Sequence, residues 1–552
     1  MEKEQIIKAL QKATSEKDIQ MEFPEREEFG DYTTNIAMLL AKKEGKNPQE
    51  VAAEIVKKLG KAGLPAEALA KAGFINFWLK KEVLLDTLVD INTRKDVFGK
   101  SDLEKGKKIM VEFAHPNTHK PFHIGHLRNI TTGEAICRLL GVVGADVIRV
   151  NYQGDVGLHI AKAMWGIKNL GFTDSKDVKK RAEFLGRAYV EGNKAYEENE
   201  KVKEEIHEIN EKLYSKKDSN LNKLYEETRR WSLEYFNTIY HRVYTKFDRF
   251  YFESEVAGPG KQIAMDALKK GIFVKSKGAV IFPGKKYGLH DRVFITGLDV
   301  PTYEAKDLGL ATLQFKEFSP DIILHVVGPE QGAYFQVIFK ALELLEPETK
   351  GKEVHLAYGW VRLKKGKMAS RTGNVVLGEW LLDEVKKRII EKYDSKEKVA
   401  EEIAVGAVKY SFLKPSLTQE IAFDIDESIS LEGNSGPYLQ YTVARTNSVL
   451  AKTTFKGVSF KGKYSNLNQE ELSILRSLSR FSEVIESAAK AYSPNLLCNY
   501  LFDLAQKFNT FYNAHRIIGS DNLELRLRLT AAVGIVLKSG LGLLGIEAPQ
   551  KM

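Results

Sequence analysis

Cysteine is scarce in this 552-residue sequence, which contains Cys137 and Cys498 and no others. Two cysteines cannot form a disulfide framework or a four-cysteine zinc site, so a reducing compartment fits best. Long apolar runs are also lacking, because none reaches the ~20 residues that a membrane helix needs. The N-terminal stretch has no apolar core of the kind found in a signal peptide. We therefore expect a cytoplasmic protein that does not interact with a membrane.

A strong excess of one charge is missing too. Lys plus Arg number 83 and Asp plus Glu number 74, which gives a formal net charge of +9. This moderate excess permits a polyanionic partner but does not identify one. Apolar residues make up 43% of the chain and charged residues 28%, a balance that disfavours a largely disordered protein. The length corresponds to about three to four domains, so a single small binding module is excluded as well.

Two regions of the chain alternate between strands and helices. The apolar strand KIMVEF (108–113) precedes a loop, a helix from His123 to Val143 and the strand VIRVNY (147–152). The same order returns in DIILHVV (321–327), a helix, and EVHLAYGWV (353–361). This order predicts βαβ units with a parallel sheet. We expect an α/β, Rossmann-like nucleotide-binding domain over 105–375, with a helical insertion at about 165–290.

The regions outside this domain predict further units. Residues 1–100 combine amphipathic helices with the strand GFINFWL (73–79), so we expect an N-terminal α+β domain that ends in a polar linker from residue 92. The centre of the insertion is highly charged and is typical of a solvated helical hairpin. Residues 376–430 are expected to form a connecting helical region, and 431–552 an all-α bundle.

A pair of histidines stands at the predicted start of the helix after KIMVEF. His123 and His126 are three positions apart and share one face of the first turn, and Gly125 removes a side chain between them. A helix start offers free N–H groups and the positive end of the helix dipole, which suits phosphate. A bare H-x-x-H pattern also fits metal binding or ordinary polar surface. Its position between a buried strand and a helix favours a nucleotide site.

A basic loop follows the last apolar strand, at 362–374. It carries five positive charges in ten residues without an acid, namely Arg362, Lys364, Lys365, Lys367 and Arg371. Charge runs are usually solvated surface. At the carboxyl end of a sheet strand, however, a flexible cationic loop can close over a polyphosphate.

Together, HIGH (123–126) and KMASR (367–371) resemble the two signature motifs of class I aminoacyl-tRNA synthetases. Several other segments resemble the arginyl-tRNA synthetases in particular: VEFAHPNTHKPFHIGHLRN, NYQGDVG (151–157), YEAKD (303–307), GPYLQYTVAR (436–445) and FGDYTTNIAM (29–38). One departure concerns the loop, where Ser370 replaces the usual second lysine. Lys367 and Arg371 are the candidates for its contact with phosphate.

The resemblance implies an arginine–tRNA ligase, which activates L-arginine with ATP and transfers it to the 3′ end of tRNA(Arg). ATP would be bound by His123, Gly125, His126 and Lys367, and the catalytic set would be His123, His126, Lys367 and Arg371. Mg²⁺ would accompany the ATP without a metal site in the protein. Arginine activation would require tRNA, and a monomer is expected.

The substrate can be tested against the sequence, because selecting a guanidinium over an amine requires carboxylates in bidentate geometry. The resemblance places Glu112 at the end of the first strand, and Asp307 one helical turn after Tyr303. The alternatives are a solvent-facing strand end for Glu112, a surface acid paired with a neighbouring lysine for Asp307, and plain core for Tyr303. Asn117 and Gln331 would hold the α-amino group, with a cap or turn role as the alternative.

The resemblance also implies two contacts with tRNA, one from the N-terminal domain to the elbow and one from the C-terminal bundle to the anticodon loop. Unstacked bases are read by aromatic stacking and hydrogen bonds to base edges. The candidates are Tyr441, Arg445, Tyr512 and Arg516, and core packing is the alternative role for the two tyrosines.

Three other functions remain open: another class I synthetase, a small-molecule nucleotidyltransferase, or a non-catalytic RNA-binding protein. The two cysteines cannot supply the zinc thiolate site that a cysteinyl enzyme needs. A small-molecule nucleotidyltransferase would not need the long regions on both sides of the α/β domain.

Overall fold

A computed structural model describes residues 2–24, 26–60, 62–172, 174–364, 376–454 and 467–552. Lys367 and Arg371, and with them most of the basic loop, lie outside the described residues. The chain divides into two compact units. Unit 1 comprises Met1–Phe98, Thr446–Ser482 and Asp503–Leu537, and unit 2 comprises Gly99–Arg445, Glu483–Phe502 and Lys538–Met552.

The secondary structure of the described residues is mainly helical. The strands are β1 (Tyr32–Thr34), β2 (Ala66–Lys71), β3 (Phe74–Leu79), β4 (Lys108–Glu112), β5 (Asp146–Gln153), β6 (Arg249–Phe252), β7 (Val274–Ser276), β8 (Ala279–Phe282), β9 (Arg292–Ile295), β10 (Ile322–Val327), β11 (Glu353–Ala357), β12 (Val361–Leu363) and β13 (Ile421–Phe423). The α-helices are α1 (Glu2–Thr14), α2 (Ile36–Glu44), α3 (Pro48–Leu59), α4 (Lys81–Arg94), α5 (Ile124–Val142), α6 (Leu158–Leu170), α7 (Val178–Glu198), α8 (Glu200–Ser215), α9 (Ser219–Arg242), α10 (Glu253–Lys269), α11 (Tyr303–Phe318), α12 (Gly332–Leu345), α13 (Gly378–Tyr393), α14 (Glu397–Leu413), α15 (Ile425–Ser428), α16 (Gly436–Leu450), α17 (Gln469–Ser479), α18 (Phe481–Lys490), α19 (Pro494–Ala514) and α20 (Leu523–Leu543).

The main sheet of unit 2 has five strands in the order β11-β10-β4-β5-β6, and every neighbouring pair is parallel. Side chains of a strand alternate between the two faces. In β4, Ile109 and Val111 therefore join the core formed with α5, α13 and α14, while Met110 packs with Leu310 of α11 on the other face. The predicted α/β class with a parallel sheet is confirmed. All five strands end at one edge, so the residues that follow β4 and β10 lie at the same edge of the sheet.

Strand β6 corrects the predicted insertion at about 165–290. It lies inside that range, yet it pairs with β5 as a member of the main sheet. The charged centre of this range, residues 195–231, holds the last turn of α7 and then α8 and α9, which are joined by a short turn as expected for a helical hairpin. The hairpin is not solvated on all sides, because apolar residues of α8 and α9 pack in one core with the fully buried Trp231. A four-residue strand next to charged helices has too few positions to show a period of two.

The N-terminal part of unit 1 is an α+β structure, as predicted. Its antiparallel sheet has the order β1-β3-β2, with α2 and α3 packed against β3. Asp31 directly precedes strand β1, and its carboxylate accepts a hydrogen bond from the Leu79 amide at 2.7 Å. The predicted linker from residue 92 begins too early, because α4 continues to Arg94.

The C-terminal region is helical, from α16 to α20, as expected for the bundle. Within the described ranges, no helix is long and apolar enough to cross a membrane.

Candidate active site

The two histidines at the start of α5 cap the helix for each other. The His126 amide donates to Nδ1 of His123 at 3.3 Å, and the His123 amide donates to Nδ1 of His126 at 3.2 Å. Their rings stack with centroids 3.6 Å apart. Because each Nδ1 accepts a hydrogen bond, the proton of each neutral ring sits on Nε2. The pair therefore presents Nε2–H donors. A Cβ at Gly125 would lie 2.9 Å from the His123 ring, so glycine is required here by the cap itself.

Both rings are neutral near pH 7. Burial lowers the pKa of His123 to about 4, and the positive charge of Lys120 adds to this effect. Burial, followed by the neighbouring His123, holds the pKa of His126 well below its ordinary value. The two side chains can thus act as neutral hydrogen-bond donors through Nε2, but not as cations.

The loop between β4 and α5 is held in a strained conformation by polar contacts. Ala114 and His119 have φ angles of 85° and 62°, in the left-handed region that residues other than glycine rarely adopt. The Ala114 amide donates to Oδ1 of Asn129 at 2.6 Å, and the His119 amide donates to Oγ of Ser232 at 2.9 Å. These contacts fix the backbone on both sides of Asn117.

Lys120 is a cation in this loop that the sequence analysis missed. Its burial lowers the pKa of its ammonium group, and its charge acts on His123 and His126. It also lines a cavity of about 780 Å³ together with Phe122. Its place within AHPNTHKP, three residues before His123, was the available signal.

Glu112 ends β4 inside the protein. It is 3% exposed, so the alternative of a solvent-facing strand end is wrong. Its Oε2 accepts a hydrogen bond from Nε2 of Gln314 at 2.6 Å, and its Oε1 lies 3.0 Å from Nδ1 of His325. Burial by itself would raise the pKa of Glu112, but the charge of His325 and the hydrogen bond to it lower that pKa below its ordinary value. The carboxylate is therefore ionised at neutral pH.

Asp307 and Tyr303 lie on the first turns of α11, with the spacing that the sequence predicts. The Tyr334 hydroxyl donates to Oδ2 of Asp307 at 2.7 Å. Burial raises the pKa of Asp307 to about 7, and the charge of Glu112 contributes to the rise. Lys306 pairs with another acid, Glu253, at 2.8 Å, so Asp307 is not a surface acid paired with this lysine. Tyr303 is 58% exposed, which excludes the core role.

Asn117 and Gln331 occupy the same edge of the sheet. A Cβ at Gly154 would lie 2.1 Å from Oδ1 of Asn117, which accounts for the glycine in NYQGDVG. Gln331 directly precedes α12, after β10. Within the described residues, its side chain makes no capping hydrogen bond to the helix.

The four candidates for the anticodon loop fall in two places. In unit 2, the guanidinium carbon of Arg445 lies 4.9 Å from the ring centroid of Tyr441 on α16. In unit 1, Tyr512 of α19 is 38% exposed, and Nε of Arg516 donates to the Ile518 carbonyl at 2.8 Å. Core packing thus leaves part of the Tyr512 ring on the surface.

Metal binding by the histidine pair finds no support in its surroundings. Among the residues that the structure describes, no group of three or more His, Cys, Asp and Glu side chains could hold a metal ion. Each Nδ1 of the pair is already an acceptor for an amide.

Comparisons with protein families match nearly all of the chain. The family of tRNA synthetases class I (R), catalytic domain, matches residues 88–425. The DALR anticodon binding domain matches 439–552, and the arginyl-tRNA synthetase N-terminal domain matches 2–79.

Individual proteins agree with these families. The arginine–tRNA ligase of Borreliella burgdorferi is 34% identical over 562 residues, covering 97% of this chain and 95% of the relative. That of Bacteroides thetaiotaomicron is 31% identical, covering 96% and 94%. The arginyl-tRNA synthetase structure from Thermus thermophilus has a TM-score of 0.82 and 27% identity, and the comparison covers 100% of this chain and 99% of that one.

A parallel sheet with this histidine pair at its carboxyl edge, in a chain matched by the synthetase catalytic domain, defines a class I aminoacyl-tRNA synthetase. Within that class, the chain belongs to the arginyl-tRNA synthetase family. It is therefore an enzyme that ligates arginine to tRNA.

Proposed function

We propose that the carboxyl edge of the main sheet is where this enzyme joins L-arginine to tRNA(Arg) in two steps. In the first, a carboxylate oxygen of arginine attacks the α-phosphorus of ATP, the bond to the β-phosphate oxygen breaks, and pyrophosphate leaves. In the second, a ribose hydroxyl at the 3′ end of the tRNA attacks the carbonyl carbon of the adenylate, and AMP leaves as the hydroxyl loses its proton. The chain's contribution is positioning and charge stabilisation.

Arginine selection rests on one observation, the pair of carboxylates formed by the buried Glu112 and the partly buried Asp307. Each is already oriented by a neutral donor, Gln314 for Glu112 and Tyr334 for Asp307. A carboxylate oxygen has two lone pairs, so both acids keep acceptor sites for the five N–H donors of a guanidinium. Tyr303 borders this pocket, and Asn117 and Gln331 hold the α-amino group.

Phosphate binding falls to the start of α5 and the cations near it. Nε2–H of His123 and His126 donates to phosphate oxygens, and Gly125 keeps the turn open. Lys120 is the described cation whose charge acts on the pair, and we include it beside Lys367 and Arg371 as a contact for the departing pyrophosphate. Mg²⁺ would be held by the ATP phosphates and would offset their negative charge.

Binding of tRNA(Arg) is assigned to the two ends of the chain. Residues 1–100 serve as the domain that contacts the tRNA elbow. Residues 431–552 contact the anticodon loop through Tyr441, Arg445, Tyr512 and Arg516. The catalytic domain spans 105–375 and 376–430 connects it to the bundle. We further propose that activation requires tRNA, and that the enzyme acts as a cytoplasmic monomer.

Pyrophosphate exchange tests these proposals directly. The exchange is measured with arginine, lysine or glutamine, each with and without bulk tRNA. We expect exchange with arginine but not with lysine or glutamine, and we expect it only when tRNA is present. Exchange with lysine would contradict the carboxylate pocket, and exchange without tRNA would contradict the tRNA requirement. In the same assay, Lys120→Met should lower the rate by about tenfold or more, as expected for a lost contact to developing charge, at an unchanged KM for arginine.

A further inference from the structure

A row of polar side chains crosses the interior of the main sheet behind Glu112. His325 of β10 is in register with Glu112 of the neighbouring strand β4. On its other side, Nε2 of His325 is hydrogen-bonded to Oε2 of Glu353 at the start of β11. All three side chains are buried, with exposures of 6% for His325 and 4% for each glutamate. A histidine in the apolar strand DIILHVV therefore joins two carboxylates.

The hydrogen bonds define the protonation state of this histidine. A neutral imidazole has one donor and one acceptor nitrogen, whereas ionised carboxylates only accept. Both nitrogens of His325 face carboxylate oxygens, so both must donate, and the ring is an imidazolium. Burial alone would lower the pKa of His325, but attraction and hydrogen bonds to Glu112 and Glu353 raise it well above its ordinary value.

Of the three histidines that interact here, His325 carries the positive charge that balances the acids of the pocket. The rings of Phe335 and Phe339 from α12 pack against it. The ionisable groups that interact with it are Glu112 of β4, His115 in the next loop, Asp307 of α11, and Glu353 and His355 of β11. Burial lowers the pKa of both His115 and His355, so neither carries the charge at neutral pH.

We propose that His325 is a positioning residue of the arginine pocket, which holds the Glu112 carboxylate ionised and in a fixed orientation for the incoming guanidinium. The inference rests on the proposed assignment of Glu112 to arginine. His325 takes one lone pair of Oε1 and Gln314 takes one of Oε2, so the carboxylate plane is set from both sides. The remaining lone pairs are the acceptors left for arginine.

Removal of the imidazolium has a specific consequence. Glu112 would then be buried near Glu353 and Asp307 without a neighbouring cation. Desolvation and like charges both favour the protonated form of a carboxylic acid. Glu112 would take up a proton near neutral pH and lose one of the two charges that select a guanidinium. Raising the pH would remove that proton again.

The experiment compares full-length variants in tRNA-dependent arginylation, with KM for arginine, KM for ATP and kcat measured from pH 6.5 to 9. For His325→Gln we expect KM for arginine to rise about tenfold or more at pH 7, as for a lost charge-assisted hydrogen bond. KM for ATP should change little. The rise should shrink toward pH 9. His207→Gln, which removes a histidine on α8 in contact with Tyr196, is the control and should match the wild type.

Glu112→Gln separates the two levels of the proposal. If it raises KM for arginine while His325→Gln does not, the positioning role is wrong and the pocket stands. If Glu112→Gln leaves KM for arginine unchanged, the pocket assignment and the inference built on it both fail. An increase for His325→Gln that is the same at every pH would indicate a structural effect and overturn the proposal. His325→Asn provides the same test if the glutamine variant does not fold.

Discussion

At the scale of single residues, Asp307 has opposite consequences for binding and for stability. Its pKa in the folded protein is about 7, above the ordinary value of 3.8. Between these two pH values the folded state keeps a proton that the unfolded state has lost. Stability therefore falls as the pH rises through this window and stays reduced above it. The enzyme thus maintains a destabilising carboxylate at the position that we propose for the guanidinium.

We predict that Asp307→Asn stabilises the free enzyme at pH 8, by roughly 2 kcal/mol or more, and has little effect below pH 4. The same change should raise KM for arginine at least about tenfold. Thermal unfolding across this pH range and arginylation kinetics check the two effects. Glu317→Gln, near the end of the same helix and paired with Arg249, should leave KM for arginine unchanged. A lower unfolding temperature for Asp307→Asn than for the wild type at pH 8 would contradict a destabilising carboxylate at this position.

Residue chemistry also shows how far the sequence could define the site. The motif histidines and the acids of the proposed pocket could be predicted from the sequence, because they stand at or near predicted element boundaries and their chemistry suits the expected ligands. The partners of Glu112 could not be predicted, since Gln314 and His325 are far away in sequence and meet it only through strand register and helix packing. The neutral state of the histidine pair likewise depends on burial and the reciprocal cap.

At the scale of elements, the position of α11 is set by its close packing on α10. A Cβ at Gly260 of α10 would lie 1.9 Å from the carbonyl oxygen of Ala305, and a Cβ at Gly309 of α11 would lie 2.6 Å from that of Val256. These glycines bring two helix backbones together. Since Tyr303 and Asp307 are carried by α11, this contact positions both side chains of the proposed arginine pocket.

Gly260→Ala is predicted to push α11 away and to destabilise the protein by about 1–3 kcal/mol, the range for overpacking. KM for arginine should rise as well. Gly258→Ala, two positions away, is the control, because a Cβ at Gly258 would have no atom within 4 Å. The gain in helix propensity from alanine is offset by crowding against the following Pro259. Its stability should lie within ~1 kcal/mol of the wild type. Equal unfolding temperatures for the two variants would argue against the close contact.

Elements also differ in how well the sequence predicts them. The β4–α5–β5 and β10–α12–β11 units carry long apolar strands and were predicted with the correct order. Strand β6 was hidden in a charged region, and α10 runs through the sequence AGPG, which locally favours a turn. Tertiary packing of Gly260 against α11 overrides that local preference.

At the scale of the whole molecule, two basic side chains join distant parts of unit 2. Lys409 of α14 donates to the carbonyls of Val243 at 2.6 Å and Gly545 at 2.7 Å. Arg138 of α5 donates to the carbonyls of Tyr244 and Gly542, both at 2.8 Å. The ends of α9 and α20 are therefore held by side chains from α14 and from the helix that begins with the histidine pair.

Because of Lys409, the contribution of this junction to the free energy of unfolding should depend on pH. Burial lowers its pKa to about 7, from an ordinary 10.5, and the charge of Arg138 contributes. Between these values the unfolded state binds a proton that the folded state does not, so stability rises with pH. We predict that Lys409→Met costs roughly 1–3 kcal/mol at pH 9, from two lost hydrogen bonds, and less at pH 6.5.

Thermal unfolding of wild type and variant at both pH values measures this difference. Lys414→Met, at the end of the same helix, removes a more exposed pair with Glu427 and should cost under ~1 kcal/mol at either pH. A loss for Lys409→Met that is larger at pH 6.5 than at pH 9 would be inconsistent with a neutral, buried amine.

Because of the reciprocal cap at the start of α5, the effect of a substitution at position 123 depends on the residue at position 126, and the reverse. Replacing either histidine removes one of the proposed hydrogen-bond donors to phosphate and also leaves the backbone amide of the other histidine without its acceptor. The second replacement then removes a group whose geometry is already lost, so the two changes should be epistatic, with a combined loss of activity smaller than the sum. An evolutionary exchange at one position requires a side chain that can still accept the partner's amide. This requirement restricts independent variation of His123 and His126 more strongly than separate contacts with a nucleotide would.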